Sequence, residues 1–382
     1  SLYKNDGFGN FGAQQIISTL SSGVNAAYAA DLDGDGDLDV LSASYNDNKI
    51  AWFENEGGGN FGPIQTISTN ANGARAVYAY DFDGDGDLDV LSASHNDNKI
   101  AWYQNDGSGN FGTQQVITSA AFGAHAAFAS DLDNDGDLDV ISASFYDNKI
   151  AWYQNDGLGN FGIQQVISTD ITGAWSVFAA DLDGDDDSDV IAASGAGNLI
   201  VWYENNGSGI FGLQQIITTE ANLARSVFAV DLDGDDDIDV LSASHFENRV
   251  AWYENDGSGN FGLQQIISNT ALGANCVFAD DLDGDGDMDV LTTTTGNHKI
   301  AWYENIPFVE AEPTPPIAAF TTLPALSPPA DTLFICSGQS VQFFNQSENA
   351  NAFLWDFDNG TTTNIANPTY TYAQAGTYWV QL

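Results

Sequence analysis

Asp31-Leu-Asp-Gly-Asp-Gly-Asp-Leu-Asp39 recurs along this 382-residue chain as near-identical copies that start at Asp81, Asp131, Asp181, Asp231 and Asp281. The spacing is 50 residues every time, without insertion or deletion. Each copy places carboxylates at alternate positions of a tight loop, a calcium-loop pattern. Six metal loops on a fixed period mean one supersecondary unit copied around an axis or along a line. Function is then to be sought where the copies differ.

Ca²⁺ takes six to eight oxygens from carboxylates and carbonyls. In the first copy Asp31, Asp33 and Asp35 would supply side-chain oxygens, Asp37 its backbone carbonyl, and Asp39 would close the shell. Gly36 allows the sharp turn. The equivalent sets are Asp81, Asp83, Asp85, Asp87, Asp89; Asp131, Asp133, Asp135, Asp137, Asp139; and Asp181, Asp183, Asp185, Asp187, Asp189. The last two are Asp231, Asp233, Asp235, Asp237, Asp239 and Asp281, Asp283, Asp285, Asp287, Asp289. No Glu closes the loop at position 12 and no helices flank it, so this is not an EF-hand. Asp186 and Asp236 replace the turn glycine in two copies, which are expected to bind more weakly because Asp tolerates a left-handed backbone less well. About six structural Ca²⁺ ions are expected.

Composition agrees. There are 54 acidic residues against 8 Lys and Arg, a formal charge of −46, and the six loops alone hold 32 aspartates. Six Ca²⁺ ions would add twelve positive charges and leave about −34. That field repels nucleic acid and anionic membranes, so neither is expected as a partner. No apolar run reaches transmembrane length, so no membrane insertion is expected. No signal peptide is visible, which reads as a mature chain or a fragment. Cys276 falls in a small-residue slot, Ala or Ser in the other copies, and is expected to be a buried free thiol. Cys336 lies outside the repeats, so a bridge between the two is not expected. Loops of this density suit millimolar extracellular calcium.

Each unit reads as four short strands. In the second copy these are residues 76–80, then 90–94 after the aspartate loop, then 99–103, then 111–118. The loop at 105–109 has the turn residues of a hairpin. Strands two and three are apolar on both faces and must be covered on both, as in radially packed propeller blades. Trp52, Trp102, Trp152, Trp202, Trp252 and Trp302 then read as interblade core. The chain opens in mid-repeat, with Ser1–Asn5 aligned to Ala301–Asn305. The last copy lacks a strand four, which residues 11–19 are expected to fill, joining the ends. The fold class is all-β: a propeller of four-stranded blades, six visible and seven possible, over residues 1–305. A proline-rich linker covers 306–316. Residues 317–382, with strand-like runs at 341–344, 352–356 and 377–382, read as a small β-sandwich that is truncated at Leu382.

Two resemblances follow from these motifs. The unit with Asn110-Phe-Gly112, the aspartate loop and Lys-Ile-Ala-Trp-Tyr-Glu-Asn resembles the FG-GAP/VCBS repeat family of calcium-binding β-propellers, which includes the integrin α-subunit head and several lectins. Residues 317–382 resemble a PKD domain. Trp355-Asp-Phe-Asp-Asn-Gly360 is similar to its WDFGDG hallmark, with Asp358 where Gly is usual and Asn359 where Asp is usual. Asn367–Tyr372 and Ala375–Tyr378 are similar to its closing motif. The resemblance implies a secreted or surface protein of the kind found in marine and gliding Bacteroidota, an adhesin, lectin or export-linked protein.

The copies differ most at two loop positions opposite the metals. One reads Asn25, Arg75, His125, Trp175, Arg225, Asn275. The other reads Tyr45, His95, Phe145, Gly195, His245, Thr295. Loops on a rigid scaffold are where binding residues usually sit. Arg75, His95, His125, Trp175, Arg225 and His245 are therefore the candidate ligand residues, with a glycan or cell-surface protein as the expected partner. Unselected drift is the competing reading. No nucleophile, base and oxyanion donors assemble in a motif, so an enzyme is not expected. The alternatives are a structural surface filament or export-associated subunit, and a polysaccharide lyase or accessory module.

Overall fold

The computed structural model describes residues 1–306, 318–324, 337–347, 352–374 and 378–382. The linker beyond Ile306, Cys336 and the Ala375–Thr377 part of the closing motif lie outside the described residues. The chain forms two compact units, Ser1–Ile306 and Pro307–Leu382.

The first unit is a β-propeller. In the first blade, strands Val24–Ala30, Asp39–Ser44, Lys49–Phe53 and Gln65–Ser68 pair antiparallel in sequence order. Four further four-stranded sheets repeat this order, and the sixth has three strands, Ala274–Asp280, Asp289–Thr294 and Lys299–Tyr303. Strand two is buried throughout in blades two to five. That is why it is written Asp-Val-Leu-Ser-Ala-Ser with no alternation.

Neighbouring blades interlock by one repeated contact set. Trp52 of the first blade meets Phe111 of the second edge-on at 6.3 Å. A Cβ on Gly109 would lie 2.4 Å from the Trp52 ring, so only glycine fits there. Asn105 Nδ2 donates to the Leu32 carbonyl in the preceding blade at 2.7 Å. Four of the tryptophans, Trp52, Trp102, Trp152 and Trp202, are only 3% exposed. Trp252 is less covered, because the period stops before blade six can supply the glycine loop that lies over it.

The closure differs from the sequence expectation. Residues 11–19 do not pair with Lys299–Tyr303, the third strand of blade six. Instead Leu2 bridges to Gln15 and Asn5 to Phe11, forming a separate hairpin. This hairpin makes the interblade set one position further round. Phe11 meets Trp302 at 6.2 Å, and the Asn5 side-chain amide donates to the Leu282 carbonyl. Its other side reaches blade one, where Lys4 Nζ donates to the Gly58 carbonyl at 2.5 Å. The ring therefore has seven positions. The seventh holds the N-terminal hairpin in the place of strands three and four.

The first strands on either side of this hairpin are less covered than their equivalents. Ala27 and Ala29 are exposed where their equivalents Val77 and Ala79 are buried. In blade six Phe278 is 44% and Ile300 56% exposed. Cys276 belongs to this flank and is an exposed free thiol, not a buried one.

In the second unit, Phe320–Leu323, Ser340–Asn345 and Thr369–Thr371 form one sheet and Trp355–Asp356 pairs with Thr362–Thr363. The core gathers Val341, Phe343, Trp355, Phe357 and Tyr372. The run read as a last strand is represented by a single bridge, Asp356 to Gln381. Asp358 adopts φ +56°, which accounts for the glycine usual at that position, and its carboxylate accepts the Trp379 N–H at 2.9 Å.

Candidate functional site

The lower face carries the aspartate loops. Within each, the first aspartate folds the turn: Asp31 Oδ1 accepts the Gly34 N–H at 2.9 Å and Oδ2 the Gly36 N–H at 3.0 Å. The ninth locks it from inside. Asp139 is fully buried; its Oδ2 accepts the Leu132 N–H at 3.1 Å and its Oδ1 the Asn155 N–H at 2.7 Å. Burial outweighs these bonds and pushes the carboxyls of Asp89, Asp139, Asp189 and Asp239 up to about 7. The seventh aspartate turns away from the cluster. Asp87 lies against the next hairpin, where a Cβ on Gly107 would be 2.4 Å from its carboxylate. That leaves its main chain, not its side chain, for a metal.

The loop fits a cation. Asp31, Asp33 and Asp39 bring oxygens within 4.8 Å of one another, as do the equivalent trios Asp131, Asp133, Asp139; Asp181, Asp183, Asp189; and Asp231, Asp233, Asp239. In the second copy the trio is Asp81, Asp83 and Asp85. Asp83 Oδ1, Asp131 Oδ1, Asp133 Oδ1 and Asp183 Oδ1 are buried with no hydrogen-bond partner. Such oxygens are costly unless a cation takes them. Asp186 and Asp236 do adopt left-handed backbone, φ +68° and +73°, and keep the turn bond to Asp181 and Asp231. One neighbour was missed in the sequence. The residue after strand three faces the loop: Gln154 Nε2 donates to Asp133 at 2.5 Å. In copy four it is Glu204; burial first, then Asp185 and Glu204, raise Asp183 to about 6. Its signal was the Gln/Glu alternation at 54, 104, 154, 204, 254 and 304.

The upper face brings the variable positions together around the central axis. Asn98 Oδ1 accepts the Gly123 N–H at 2.8 Å, and the same bond recurs from Asn48, Asn148 and Asn248, tying each 4-to-1 loop to the preceding blade. His125 lies 3.9 Å, centroid to centroid, from the Trp175 ring, and its Nδ1 meets the Trp175 carbonyl at 3.1 Å. Phe145 meets Trp175 edge-on at 5.6 Å. The Arg225 guanidinium carbon sits 4.8 Å from the Trp175 centroid and the Arg75 carbon 5.9 Å, the latter also 4.8 Å over Tyr45. His95 is 6.0 Å from His125 and pairs with the Tyr146 hydroxyl at 3.2 Å. His245 stands apart from Trp175, bonded to Thr295 Oγ1 at 3.1 Å. Burial and the nearby Arg75 hold His95 below the usual imidazole range and His125 well below it. Trp175 is thus half-buried with neighbours on its ring, and Gly195 leaves the room it needs. Leu223 holds φ +55° where the other copies have glycine, two residues before Arg225. Phe145, Tyr45 and Tyr146 complete the cluster.

Comparison with known proteins agrees with this architecture. The FG-GAP-like repeat profile matches residues 1–42, 31–92, 81–142, 131–192, 181–242 and 231–292, and the PKD domain profile residues 324–382. No curated protein sequence matches the chain. Among solved structures, an Agrocybe aegerita lectin described as recognising non-reducing terminal N-acetylglucosamine is 22% identical over 73% of this chain and 70% of that one, with TM-score 0.51. A protein of unknown function from Desulfotomaculum acetoxidans is 14% identical over 75% and 84%, with TM-score 0.55. At these identities the likeness is one of fold. No helix among the described residues is long and apolar enough to cross a membrane.

Proposed function

The chain belongs to the FG-GAP-like repeat family and carries a PKD domain, and from that premise we propose that its propeller is an extracellular, calcium-stabilised module that binds a glycan or a cell-surface protein on the face opposite the metals. One observation carries this reading: the residues that vary among otherwise repeated blades converge on Trp175, with His125 at 3.9 Å and Arg225 at 4.8 Å. Drift on unselected loops gives no reason for such convergence. Aromatic rings and guanidinium groups on a rigid rim suit sugar faces and polar protein surfaces. The role is binding without turnover. The Agrocybe aegerita lectin supports the glycan branch through its fold alone.

The test is a glycan array and cell-surface binding assay with the calcium-loaded protein and Trp175→Ala. Binding that Trp175→Ala abolishes while the fold is retained supports the reading. Binding that persists unchanged places the site elsewhere. A second reading, a structural subunit, has its own support: Ile163, Leu213 and Leu263 on the outer edges of three successive blades are 88%, 90% and 91% exposed. Concentration-dependent assembly in light scattering, removed by charging these three positions, would favour it.

A further inference from the structure

Arg75 and Arg225 of the upper face are placed unlike the chain's ion-paired cations. Among the described residues the ion pairs are Lys99–Asp97, Lys149–Asp147 and Arg249–Glu247, each with an acid two residues away. Arg75 and Arg225 form none, in a chain with 54 acidic residues. Both instead lean over one indole, at 5.9 and 4.8 Å. Like charges brought to one half-buried spot repel each other and need a counter-charge.

The same patch holds polar nitrogens with nothing to bond. Arg75 Nε, Arg225 Nε, His95 Nδ1 and His125 Nε2 are all buried without a hydrogen-bond partner. Arg225 Nη1 donates to Asn275 Oδ1 at 3.0 Å, which fixes the guanidinium but does not neutralise it. Buried polar atoms in native proteins are nearly always paired, so four together point to a missing partner. The left-handed Leu223 beside Arg225 adds backbone strain, which persists where a site requires it.

We propose that the centre of this face is an oxyanion site, in which Arg75 and Arg225, steadied against Trp175, clasp a carboxylate or sulfate group of the ligand. The inference rests on the reading of this face as the binding face and narrows its ligand to an acidic one. Guanidinium forks match planar or tetrahedral oxyanions with paired N–H bonds, which ammonium groups do not. The acid-rich metal face would repel such a ligand, so the charge pattern also orients it.

The experiment is calorimetric titration of the calcium-loaded protein with uronic-acid oligosaccharides, sulfated oligosaccharides, neutral oligosaccharides of the same length, and inorganic sulfate alone. Arg75→Gln, Arg225→Gln, Arg75→Lys and a Lys49→Gln control, a cation outside the Trp175 contacts, are run beside it, with melting temperature as the check on folding. Acidic ligands should bind at least tenfold more tightly than neutral ones. Each Gln variant should lose at least tenfold for acidic ligands only, Arg75→Lys should recover part, and Lys49→Gln should change nothing. Which acidic series binds separates uronate from sulfate. Inorganic sulfate that binds wild type and not the Gln variants, with no oligosaccharide binding, supports the oxyanion site while the glycan reading fails. Equal affinity for acidic and neutral oligosaccharides overturns the oxyanion site and leaves the glycan reading standing. No binding of any anion, or Gln variants within twofold of wild type, also overturns it.

Discussion

The two faces of the propeller use the same strands to opposite ends. On the lower face every blade repeats one chemistry, and Asp39, Asp89, Asp139, Asp189, Asp239 and Asp289 occupy the same buried position with the same two backbone donors. On the upper face the equivalent residues of successive blades are Asn, Arg, His, Trp, Arg and Asn. The first face gains by summation, six times over. The second gains by asymmetry, since only differing side chains can make one site on a near-symmetric ring. Stability should therefore answer to the lower face and recognition to the upper.

Chelation should separate the faces most sharply. Each site held at one hundred times its Kd contributes about 2.7 kcal/mol, and stripping the metal leaves the unbonded oxygens of Asp83, Asp133 and Asp183 facing other carboxylates. A chelator should lower the melting temperature by on the order of 10 °C or more. Mg²⁺ should restore it poorly, because it resists irregular oxygen cages. Coincident melting curves with and without chelator would remove the structural role of calcium.

A finer cut lies within one loop. Asp139→Ala strands the buried N–H groups of Leu132 and Asn155, at about 1–3 kcal/mol each. Asp137→Ala keeps the backbone carbonyl and should cost less than about 1 kcal/mol. Denaturant titration of the two variants at saturating calcium reads the difference. Equal losses would mean that the seventh side chain, and not its carbonyl, serves the metal.

These contrasts track how far the sequence could be read. The blades, the tryptophan seams and the aspartate loops were legible because each is periodic, and a period survives without coordinates. The ring closure was not. Ser1–Asn5 aligns with strand three of any blade, and only the Asn5 amide on the Leu282 carbonyl and Phe11 against Trp302 place it after blade six. Cys276 was misjudged because a small residue does not mark a buried slot: the position is buried only at Ala76 and part-exposed at Ala26, Ala126, Ser176 and Ser226. On the upper face the residue types and their shared ring of positions were visible, but not which side chains touch: His125 and Arg225 lie against the Trp175 ring, while His245 is bonded to Thr295.

The smallest expected effect belongs to the upper face and concerns pH. His125 is enclosed by Trp175 and Phe145 and faced by Arg75, His95 and Arg225, so its imidazole stays neutral in the fold. Burial is the main cause of its lowered pKa, and the arginine charges add to it. The unfolded chain takes up a proton near pH 6.5 while the folded chain does not. The neutral ring's contribution is complete above that pH and is lost as pH falls towards the depressed folded value. The loss is about 1.4 kcal/mol for each pH unit below about 6.5 until the folded imidazole titrates. His125→Gln keeps polar atoms there without a titrating ring. Melting curves at saturating calcium between pH 7.5 and 5 should therefore fall more steeply for wild type than for His125→Gln. Parallel curves would show that the acid sensitivity lies with other groups, His95, His245 and the carboxylates of the lower face among them, and that His125 is free to take a proton where it sits.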